Sequence, residues 1–228
     1  MSSKPVALIL GAGKNIGAAL ANRFSKNGYS LALASRSVSN PTPDGHLGIS
    51  VDLSKPSSAS AIFTTLRKEF GSAPTVIIYN AGSLTPPPNP ENPLSLPLEN
   101  FEKDLTVMNF TPYAIAQEAV RQWESEGIKG TFIYTGNILN TRVLPVPMMM
   151  GLGTGKSAAA YWVGVADSAL KSKGLRFFYA DERKPDGGPM GSVPGAEAAA
   201  EFYSQLASGA DEIPWHATFT AGEGYKKF

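Results

Sequence analysis

A glycine-rich turn near the start of the chain has the residue types that hold a phosphate group. It follows a short apolar run, Pro5 to Leu10, and precedes a segment in which apolar residues recur at helical spacing. In such a strand–turn–helix unit, the backbone N–H groups and the helix N-terminus can bind a pyrophosphate, because glycine has no Cβ to block its approach. The turn therefore predicts nucleotide binding. Its candidate residues are Gly11, Gly13, Lys14, Asn15, Ile16 and Gly17.

The carboxyl ends of the other predicted strands are also glycine-rich or polar. In parallel α/β sheets, ligands lie outside these ends, at the point where the strand order reverses. We therefore expect the strand ends to form the site. They read Gly11-Ala12-Gly13, Ser35-Arg36, Asp52-Leu53, Asn80-Ala81-Gly82, Gly136-Asn137 and Asp181-Glu182-Arg183.

The elements that position these ends alternate along the whole chain. Short apolar runs predict strands, and apolar residues at helical spacing predict the helices between them. This alternation predicts an α/β, Rossmann-type, doubly wound and mainly parallel seven-stranded sheet with helices on both faces, in one domain of residues 1–228. The predicted strands are 5–10, 31–34, 49–51, 75–79, 131–135, 175–180 and 217–220, and the predicted helices are 16–27, 57–70, 98–124, 152–170 and 196–206.

Proline and glycine indicate where the regular elements stop. Residues 40–48 are broken by proline and glycine and predict a loop without a full helix. Six of the twelve residues from Pro86 to Pro97 are proline, which excludes a helix or a central strand there. The long helix 98–124 is open to an interruption near Pro112.

The composition excludes several classes of protein. The 228 residues carry a net charge of +1, so neither nucleic acid nor an anionic membrane surface is attracted by charge. No apolar run is long enough to span a bilayer. The chain has no Cys and two His, His46 and His216, and we expect no metal site. Without a signal-peptide pattern, a cytoplasmic protein is expected.

Taken together, the motifs resemble those of the short-chain dehydrogenases/reductases, and the likeness covers nearly the whole chain. The family's glycine pattern maps onto Gly11, Asn15 and Gly17, with Asn15 in place of the middle small residue. Its Asn-Ala-Gly motif after the fourth strand is intact at residues 80–82, and its adenine-facing acidic residue matches Asp52, which Leu53 follows. The resemblance implies a dinucleotide that lies across these strand ends.

The end of the second strand indicates which dinucleotide is preferred. A carboxylate at this position accepts from the ribose 2′-OH of NAD, whereas a basic residue accommodates a 2′-phosphate. This chain has Arg36 there, and Lys14 lies in the glycine turn. The pair resembles the NADP-preferring members of the family, so NADP(H) is the expected cofactor.

The resemblance also implies catalytic residues, of which this chain keeps only some. Lys156 matches the lysine of the family's Tyr-x-x-x-Lys motif, which binds the nicotinamide ribose, and Asn109 matches its proton-relay asparagine. Leu152 stands in the place of the catalytic Tyr, and Asn137 in the place of the catalytic Ser. The chain therefore matches the cofactor-binding residues of the family pattern but differs from it at the residues that transfer the proton.

Other residues of the chain are candidates to replace the missing acid. Asp181 and Glu182 stand at the end of the sixth strand, where the family has residues beside the nicotinamide, and either a catalytic or a structural role is open. Asn137 can donate a hydrogen bond but cannot act as an acid at neutral pH. We expect Tyr161, five residues after Lys156, to face elsewhere and lie in the core, and Tyr134 to serve packing.

The leading hypothesis is an NADPH-dependent oxidoreductase that reduces a small or medium apolar carbonyl, imine or activated alkene with a non-standard acid. Two alternatives stay open: a non-redox isomerase or cyclase that uses the dinucleotide as a scaffold, and a non-catalytic NADP-binding regulatory protein. The expected partners are a small-molecule substrate and further copies of the chain, as a homodimer or homotetramer, with no nucleic acid and no membrane.

Overall fold

The structure, a computed structural model, describes residues 4–191, 194–209 and 212–228. The strands are β1 Val6–Leu10, β2 Ser30–Ser35, β3 Leu47–Ser50, β4 Val76–Tyr79, β5 Thr131–Thr135, β6 Arg176–Glu182, β7 His216–Thr220 and β8 Gly224–Tyr225. The helices are α1 Ile16–Lys26, α2 Ser58–Phe70, α3 Leu98–Leu105, α4 Thr111–Glu126, α5 Met150–Leu170 and α6 Ala196–Ser208. None of these helices is long and apolar enough to cross a bilayer.

The strands form one sheet in the order β3-β2-β1-β4-β5-β6-β7-β8. Strands β1 to β7 pair in parallel, and β8 pairs antiparallel to β7. The Rossmann-type α/β fold class is thereby confirmed, but the predicted number of seven strands is wrong because the sheet has eight. The missed strand β8 has two residues, which is too short for any alternation of apolar and polar residues to show.

Helices cover both faces of the sheet, which explains why the strands are continuous apolar runs. One face packs against α2, α4 and α5, and the other packs against α1 and α6. The side chains of β6 alternate accordingly: Phe177 and Tyr179 belong to the first core, and Phe178 and Ala180 belong to the second. The same alternation decides where the polar residues at the end of β6 point.

Two boundaries differ from the prediction in ways that affect the site. Strand β6 continues to Glu182, so Asp181 and Glu182 lie within the strand rather than after it. The long predicted helix is divided into α3 and α4 by a π-helical turn, Thr106–Phe110. Pro112, the second residue of α4, has no N–H to donate to that turn. Backbone carbonyls of the turn are therefore free to accept other donors.

Candidate functional site

A cleft of about 1290 Å³ opens at the carboxyl ends of β1, β2 and β4. The chain winds from β1 toward β3 and then returns to continue from β4, so the cleft lies at the switch point of the sheet. The structure thus brings together side chains from four separate strand ends. The predicted residues that line the cleft are Gly11, Gly13, Lys14, Gly17, Arg36, Asp52, Leu53, Asn80, Ala81 and Gly82.

Glycine occupies three positions of the first turn for different physical reasons. Gly11 has a φ of +83°, and a Cβ there would lie 2.5 Å from the backbone nitrogen of Ala81. A Cβ on Gly17 would lie 2.7 Å from the backbone of Ala12. Gly13, by contrast, has nothing within 4 Å of its ideal Cβ position. The protein itself therefore needs Gly11 and Gly17, whereas Gly13 leaves open space in the wall of the cleft that a phosphate could occupy.

The N-terminus of α1 is available to an anion. Asn15 is the N-cap residue, but its side chain makes no capping hydrogen bond, and the first turn has no acidic residue. The first N–H groups of a helix have no partner within the helix and carry a partial positive charge. Ile16 begins α1 with its side chain buried against the sheet. Lys14 and Arg36 line the same cleft and add two positive charges.

Asp52 and Asn80 fix the rest of the cleft floor. Asp52 Oδ1 accepts hydrogen bonds from the Ser54 backbone N–H at 3.0 Å and from its hydroxyl at 2.8 Å. These bonds lower the pKa of the Asp52 carboxyl and favour an acceptor that stays charged. Asn80 Nδ2 donates to the Gly11 carbonyl at 3.0 Å. The end of β4 is thereby tied to the glycine turn after β1.

Sequence reasoning missed one wall of this cleft. The connection from β2 to β3 has no helix among the described residues, as predicted, and it runs along the cleft. Thr42 closes the connection on itself, because its N–H donates to the His46 carbonyl at 2.9 Å and its hydroxyl accepts from the His46 N–H at 3.0 Å. No motif marks these positions. The lining residues of this connection that sequence reasoning missed are Ser37, Val38, Thr42, Pro43, Asp44 and His46. Lys103 on α3 and Val107 in the π-helical turn also line the cleft and were not predicted.

The predicted catalytic residues lie beyond the cleft, at the ends of β5 and β6. Lys156 is 6% exposed, and its Nζ donates to the Thr135 carbonyl at the end of β5 and lies 4.7 Å from the centre of the Tyr134 ring. Burial lowers its pKa to about 7, against the charge of Asp181, which acts to raise it. Leu152 offers no proton one helical turn earlier. Lys156 is therefore a buried amine in an apolar surrounding.

Asn137 begins the connection from β5 to α5. Its Oδ1 accepts from the Leu139 N–H at 3.1 Å, and its backbone carbonyl accepts from the Tyr179 hydroxyl at 2.9 Å. The side-chain NH₂ has no partner among the residues that the structure describes. Asn137 is therefore held in place through its acceptors, and its amide donors remain available to a substrate oxygen.

Three stacked tyrosines form the floor beneath this region. Their rings lie on the same face of β4, β5 and β6, with centroids 5.8 Å apart between Tyr79 and Tyr134 and 5.7 Å apart between Tyr134 and Tyr179. Tyr79 donates to the Val107 carbonyl at 2.6 Å, and Tyr134 donates to the Met108 carbonyl at 2.9 Å. These are carbonyls of the π-helical turn before Pro112. The expected packing role of Tyr134 is confirmed.

Asn109 lies in that π-helical turn and is buried. Its Nδ2 donates to the Gly155 carbonyl at 3.0 Å, and within the part of the chain that the structure describes its buried Oδ1 has no hydrogen-bond partner. A single π turn in a helix is frequent at functional sites. Asn109 therefore joins the turn to α5 next to Lys156, with one acceptor unused.

The end of β6 is occupied by a buried ion pair. Asp181 is fully buried, and its Oδ2 accepts from Arg183 Nε at 2.7 Å and from Nη2 at 2.5 Å. His216 Nε2 lies 3.6 Å from the same oxygen and 3.2 Å from Asn140 Nδ2. Asp181 Oδ1 is buried and has no hydrogen-bond partner among the described residues. Asp181, for which the sequence leaves both a catalytic and a structural role open, is thus paired with a guanidinium.

The structure does not bring Glu182 together with Lys156. Glu182 follows the strand alternation to the α6 face, where its Oε2 accepts from the Gly195 N–H at 2.7 Å, just before α6 begins. Desolvation raises the pKa of this carboxyl. The prediction that Tyr161 lies in the core is wrong, because Tyr161 is 77% exposed on α5, although it does face away from Lys156 as expected.

Asp104 joins two loops that border the site. It is fully buried and accepts from the Ser83 hydroxyl at 2.5 Å, the Thr85 hydroxyl at 2.9 Å and the Thr85 N–H at 3.0 Å. A Cβ on Gly151, at the start of α5, would lie 2.5 Å from Asp104 Oδ2. Asp104 therefore holds the connection after β4 close to the N-terminus of α5. Sequence reasoning missed it, because a single acidic residue within a helix gives no signal.

The connection after β4, the start of α3 and the connection from β5 to α5 carry exposed apolar side chains, here called the apolar rim. Val143 is 92% exposed and Leu94 is 81% exposed. Water-exposed apolar groups grouped near a site indicate a surface that an apolar ligand covers. The rim comprises Leu84, Leu94, Leu98, Val143, Val146 and Met148.

Among the described residues, no group of His, Asp and Glu side chains is arranged to hold a metal ion.

Comparison with known sequences points to one family. The family profile described as short chain dehydrogenase matches residues 5–179. A short chain dehydrogenase/reductase of Cryptosporiopsis sp. (strain 8999), dmxR12, is 38% identical over 99% of this chain and 96% of its own length. A glucose 1-dehydrogenase of Gluconobacter oxydans (strain 621H) is 28% identical over 74% of this chain and 65% of its own length.

Comparison with solved structures supports the same fold. A 3-ketoacyl-(acyl-carrier-protein) reductase from Brucella melitensis, complexed with NADH, superimposes with a TM-score of 0.80 at 20% identity and covers 96% of this chain and 98% of its own. A metagenomic short-chain oxidoreductase in complex with NADP has a TM-score of 0.78 at 19% identity and covers 93% of this chain and 94% of its own.

The different reasons for Gly11 and Gly13 predict different costs of substitution. Gly11→Ala should lower the free energy of unfolding by about 2 to 4 kcal/mol, because it combines a left-handed backbone with a clash against the backbone at Ala81. Gly13→Ala should change it by less than about 0.5 kcal/mol, as for an unstrained surface substitution. Urea denaturation of both variants measures the difference, and equal losses would contradict the assigned roles.

Proposed function

Because this chain belongs to the short-chain dehydrogenase/reductase family, we propose that it is an NADP(H)-dependent oxidoreductase that reduces a small or medium apolar carbonyl, imine or activated alkene. The observation that carries the proposal is the cleft at the switch point between β1 and β4. It combines an open glycine turn, an uncapped helix N-terminus and two cations, Lys14 and Arg36. A dinucleotide with a phosphate on its adenosine ribose fits that set of donors.

Different residues of the cleft would bind different parts of the dinucleotide. The turn at Gly13 and the N-terminus of α1 would bind the pyrophosphate. Asp52 would accept from the adenine amino group while Leu53 packs beside it, and Lys14 and Arg36 would pair with the 2′-phosphate. The Asn80-Ala81-Gly82 segment would border the middle of the cofactor. When bound, the nicotinamide supplies or accepts a hydride.

The polar groups at the ends of β5 and β6 would act on the substrate. The free amide NH₂ of Asn137 would hold the substrate oxygen, and Lys156 would contact the nicotinamide ribose. Asn109 would keep the start of α5 in position through the Gly155 carbonyl. Asp181, buried beside Lys156, would favour a cationic substrate such as an iminium. Glu182 would position the N-terminus of α6 rather than take part in the reaction.

The apolar rim supports an apolar substrate. Leu84, on the connection after β4, both lines the cleft and belongs to the rim, so the rim borders the place where the substrate would meet the cofactor. Burying apolar surface there contributes about 25 cal/mol per Å² to binding. A closed rim would also exclude water from the reacting atoms.

Turnover tests the reaction class. Wild-type protein mixed with NADPH and a panel of apolar ketones, aldehydes, cyclic imines and activated alkenes should consume NADPH with at least one class, followed by the absorbance of the reduced nicotinamide. Gly13→Val is the matched control, because its side chain fills the space assigned to the phosphate. NADPH binding without any consumption across the panel would favour the non-redox enzyme or the regulatory protein instead.

Cofactor preference is tested at Arg36. A charge-assisted hydrogen bond to the 2′-phosphate contributes about 1.5 to 3 kcal/mol, so the wild type should bind NADPH at least about tenfold more tightly than NADH. Arg36→Asp should reverse that order, because the carboxylate repels the phosphate and accepts from a free 2′-OH. Intrinsic fluorescence titration with both dinucleotides gives the two Kd values.

Lys68→Asp provides the control for that experiment. Lys68 is exposed on α2 and does not line the cleft, so it makes the same change in net charge at a distance. It should leave the ratio of the two Kd values unchanged. Equal affinities of the wild type for NADPH and NADH would exclude the assigned role of Arg36.

We also propose that copies of the chain associate through α4 and α5, as a homodimer or as part of a homotetramer. Apolar side chains are exposed along these helices, with Tyr113 on α4 and Tyr161 and Val165 on α5. The Tyr113 ring packs edge-on against Trp162, so the exposed parts of both helices belong to one surface. The chain's resemblance to a family that associates through its long helices supports the same surface.

Substitution on α5 tests this association. Tyr161→Arg should shift the protein to a smaller species in size-exclusion chromatography with light scattering, because a charged side chain would be buried between the copies. Val143→Arg places the same charge at an exposed apolar residue of the rim and should leave the mass unchanged. A monomeric wild type, or an unchanged mass for Tyr161→Arg, would contradict the proposed surface.

A further inference from the structure

The proposed reduction needs a proton donor, and Leu152 removes the one that the family pattern would supply. Resting on that proposed function, we propose that the ε-amino group of Lys156 is itself the proton donor. The position of Lys156 at the carboxyl end of β5, and the absence of another uncommitted acid around it among the described residues, carry the inference.

The buried tyrosine hydroxyls on the Lys156 side of the sheet each donate to a backbone carbonyl, and Tyr203, on the α6 side, donates to the Thr135 hydroxyl. Tyr79 donates to the Val107 carbonyl, Tyr134 donates to the Met108 carbonyl and Tyr179 donates to the Asn137 carbonyl. All three are buried, and their pKa values are raised by burial above the ordinary value of tyrosine. Releasing one of these protons would leave a buried phenolate beside a carbonyl, which is strongly unfavourable.

The remaining polar groups cannot replace them. Asn137 carries amide protons that do not ionise at neutral pH. Asp181 is held by two hydrogen bonds from Arg183, and Glu182 faces α6 on the other side of the sheet. The His216 ring lies on β7 beside the Tyr179 ring, whereas the Lys156 Nζ contacts the ring of Tyr134 on β5. Among the described groups around the end of β5, Lys156 is therefore the acid that remains.

The surroundings of Lys156 suit a group that gives up a proton. From β5 the Tyr134 ring and the Thr135 carbonyl contact it, and from the π-helical turn the neutral Asn109 bonds to the carbonyl of the preceding residue, Gly155. From β6 Asp181 acts on it as a negative charge; the Asp181 carboxylate is paired with Arg183, and His216 Nε2 lies 3.6 Å from it. Burial outweighs this charge and sets the pKa of Lys156 at about 7.

The step balances without any further reactant. The bound nicotinamide would supply a hydride to the substrate carbonyl carbon, and the π electron pair of the C=O bond would move to the oxygen. One N–H bond of the Lys156 ammonium breaks while an O–H bond forms on that oxygen. Lys156 is left as a neutral amine and regains a proton from water. An acid with a pKa near the working pH is the efficient choice for such a transfer.

The titration of Lys156 is measured directly in the protein without cofactor or substrate. Wild-type protein labelled with ¹³C-lysine is titrated by NMR through the Cε resonances, and the signal that disappears in Lys156→Met is assigned to Lys156. A midpoint near 7 is expected. A midpoint in the ordinary range of lysine, about 10.4, would overturn the proposal.

The pH dependence of the free energy of unfolding provides a second test, which does not require enzymatic activity. Between pH 7 and about 10 the unfolded chain would hold a proton on Lys156 that the folded protein lacks, so the free energy of unfolding rises with pH in this window. Lys156→Met should lose that rise, whereas Lys68→Met should keep it. An unchanged pH dependence in Lys156→Met would mean that the folded amine keeps its proton.

Turnover separates a donor from a residue that only binds the ribose. Lys156→Arg keeps a positive hydrogen-bond donor but has no transferable proton at neutral pH. With a substrate that the wild type reduces, it should bind NADPH within about threefold of the wild type, while kcat falls by roughly 10² or more. The wild-type kcat should fall as pH rises through about 7, because the protonated amine is the active form. Near-normal turnover by Lys156→Arg would overturn the proposal.

The two failures can be told apart. If the wild type reduces no substrate, the donor role falls together with the proposed function, and a midpoint near 7 in the NMR titration shows that the fault lies in the reaction class. If the wild type reduces a substrate but Lys156 titrates as an ordinary lysine, the proposed function stands and the donor is another group.

Discussion

The close approach of two backbones, at Gly11 and Ala81, is the constraint on which the site depends. Gly11 adopts a conformation that side chains disfavour, so the chain can turn at the end of β1 with the β4 end pressed against it. The Asn80 side chain locks the contact through the Gly11 carbonyl. With the two strand ends held this close, the glycine turn and the residues at the end of β4 line the same cleft. Any side chain at Gly11 would separate the strand ends and move every donor in the cleft.

The sequence predicts the cofactor side of the site better than the catalytic side, for a physical reason. Glycines and polar residues at the ends of β1 to β4 carry local constraints, and the predicted ones line the cleft except for Asn15. By contrast, the face to which Glu182 points depends on where β6 ends, and the apolar run alone placed that end at Ala180. The exposure of Tyr161 could not be predicted either, because an aromatic residue on an apolar helix reads as core whether or not another element covers it.

The π-helical turn shows how a long-range role can hide in an ordinary helical pattern. The sequence indicates an interruption near Pro112, but it cannot say which donors use the carbonyls that the proline leaves free. In the structure those donors are Tyr79 and Tyr134, which lie on strands far away in the chain. The tyrosine hydroxyls donate hydrogen bonds to the free carbonyls of the turn. These carbonyls in turn give acceptors to hydroxyls that would otherwise be buried without partners. The same contact places Asn109 against α5.

The buried pair at the end of β6 makes chemical sense next to a cationic acid. A tyrosine donor leaves an anion behind, which a neighbouring carboxylate would oppose, whereas a lysine donor leaves a neutral amine. Asp181 favours the protonated form of Lys156, and without a counter-charge it would hold the proton too firmly for transfer. Arg183 shares the Asp181 carboxylate through two hydrogen bonds and weakens that hold. Leu152 adds no charge and helps to keep the amine dry. In the proposed step, Leu152 and the pair of Asp181 with Arg183 would therefore act on the same proton.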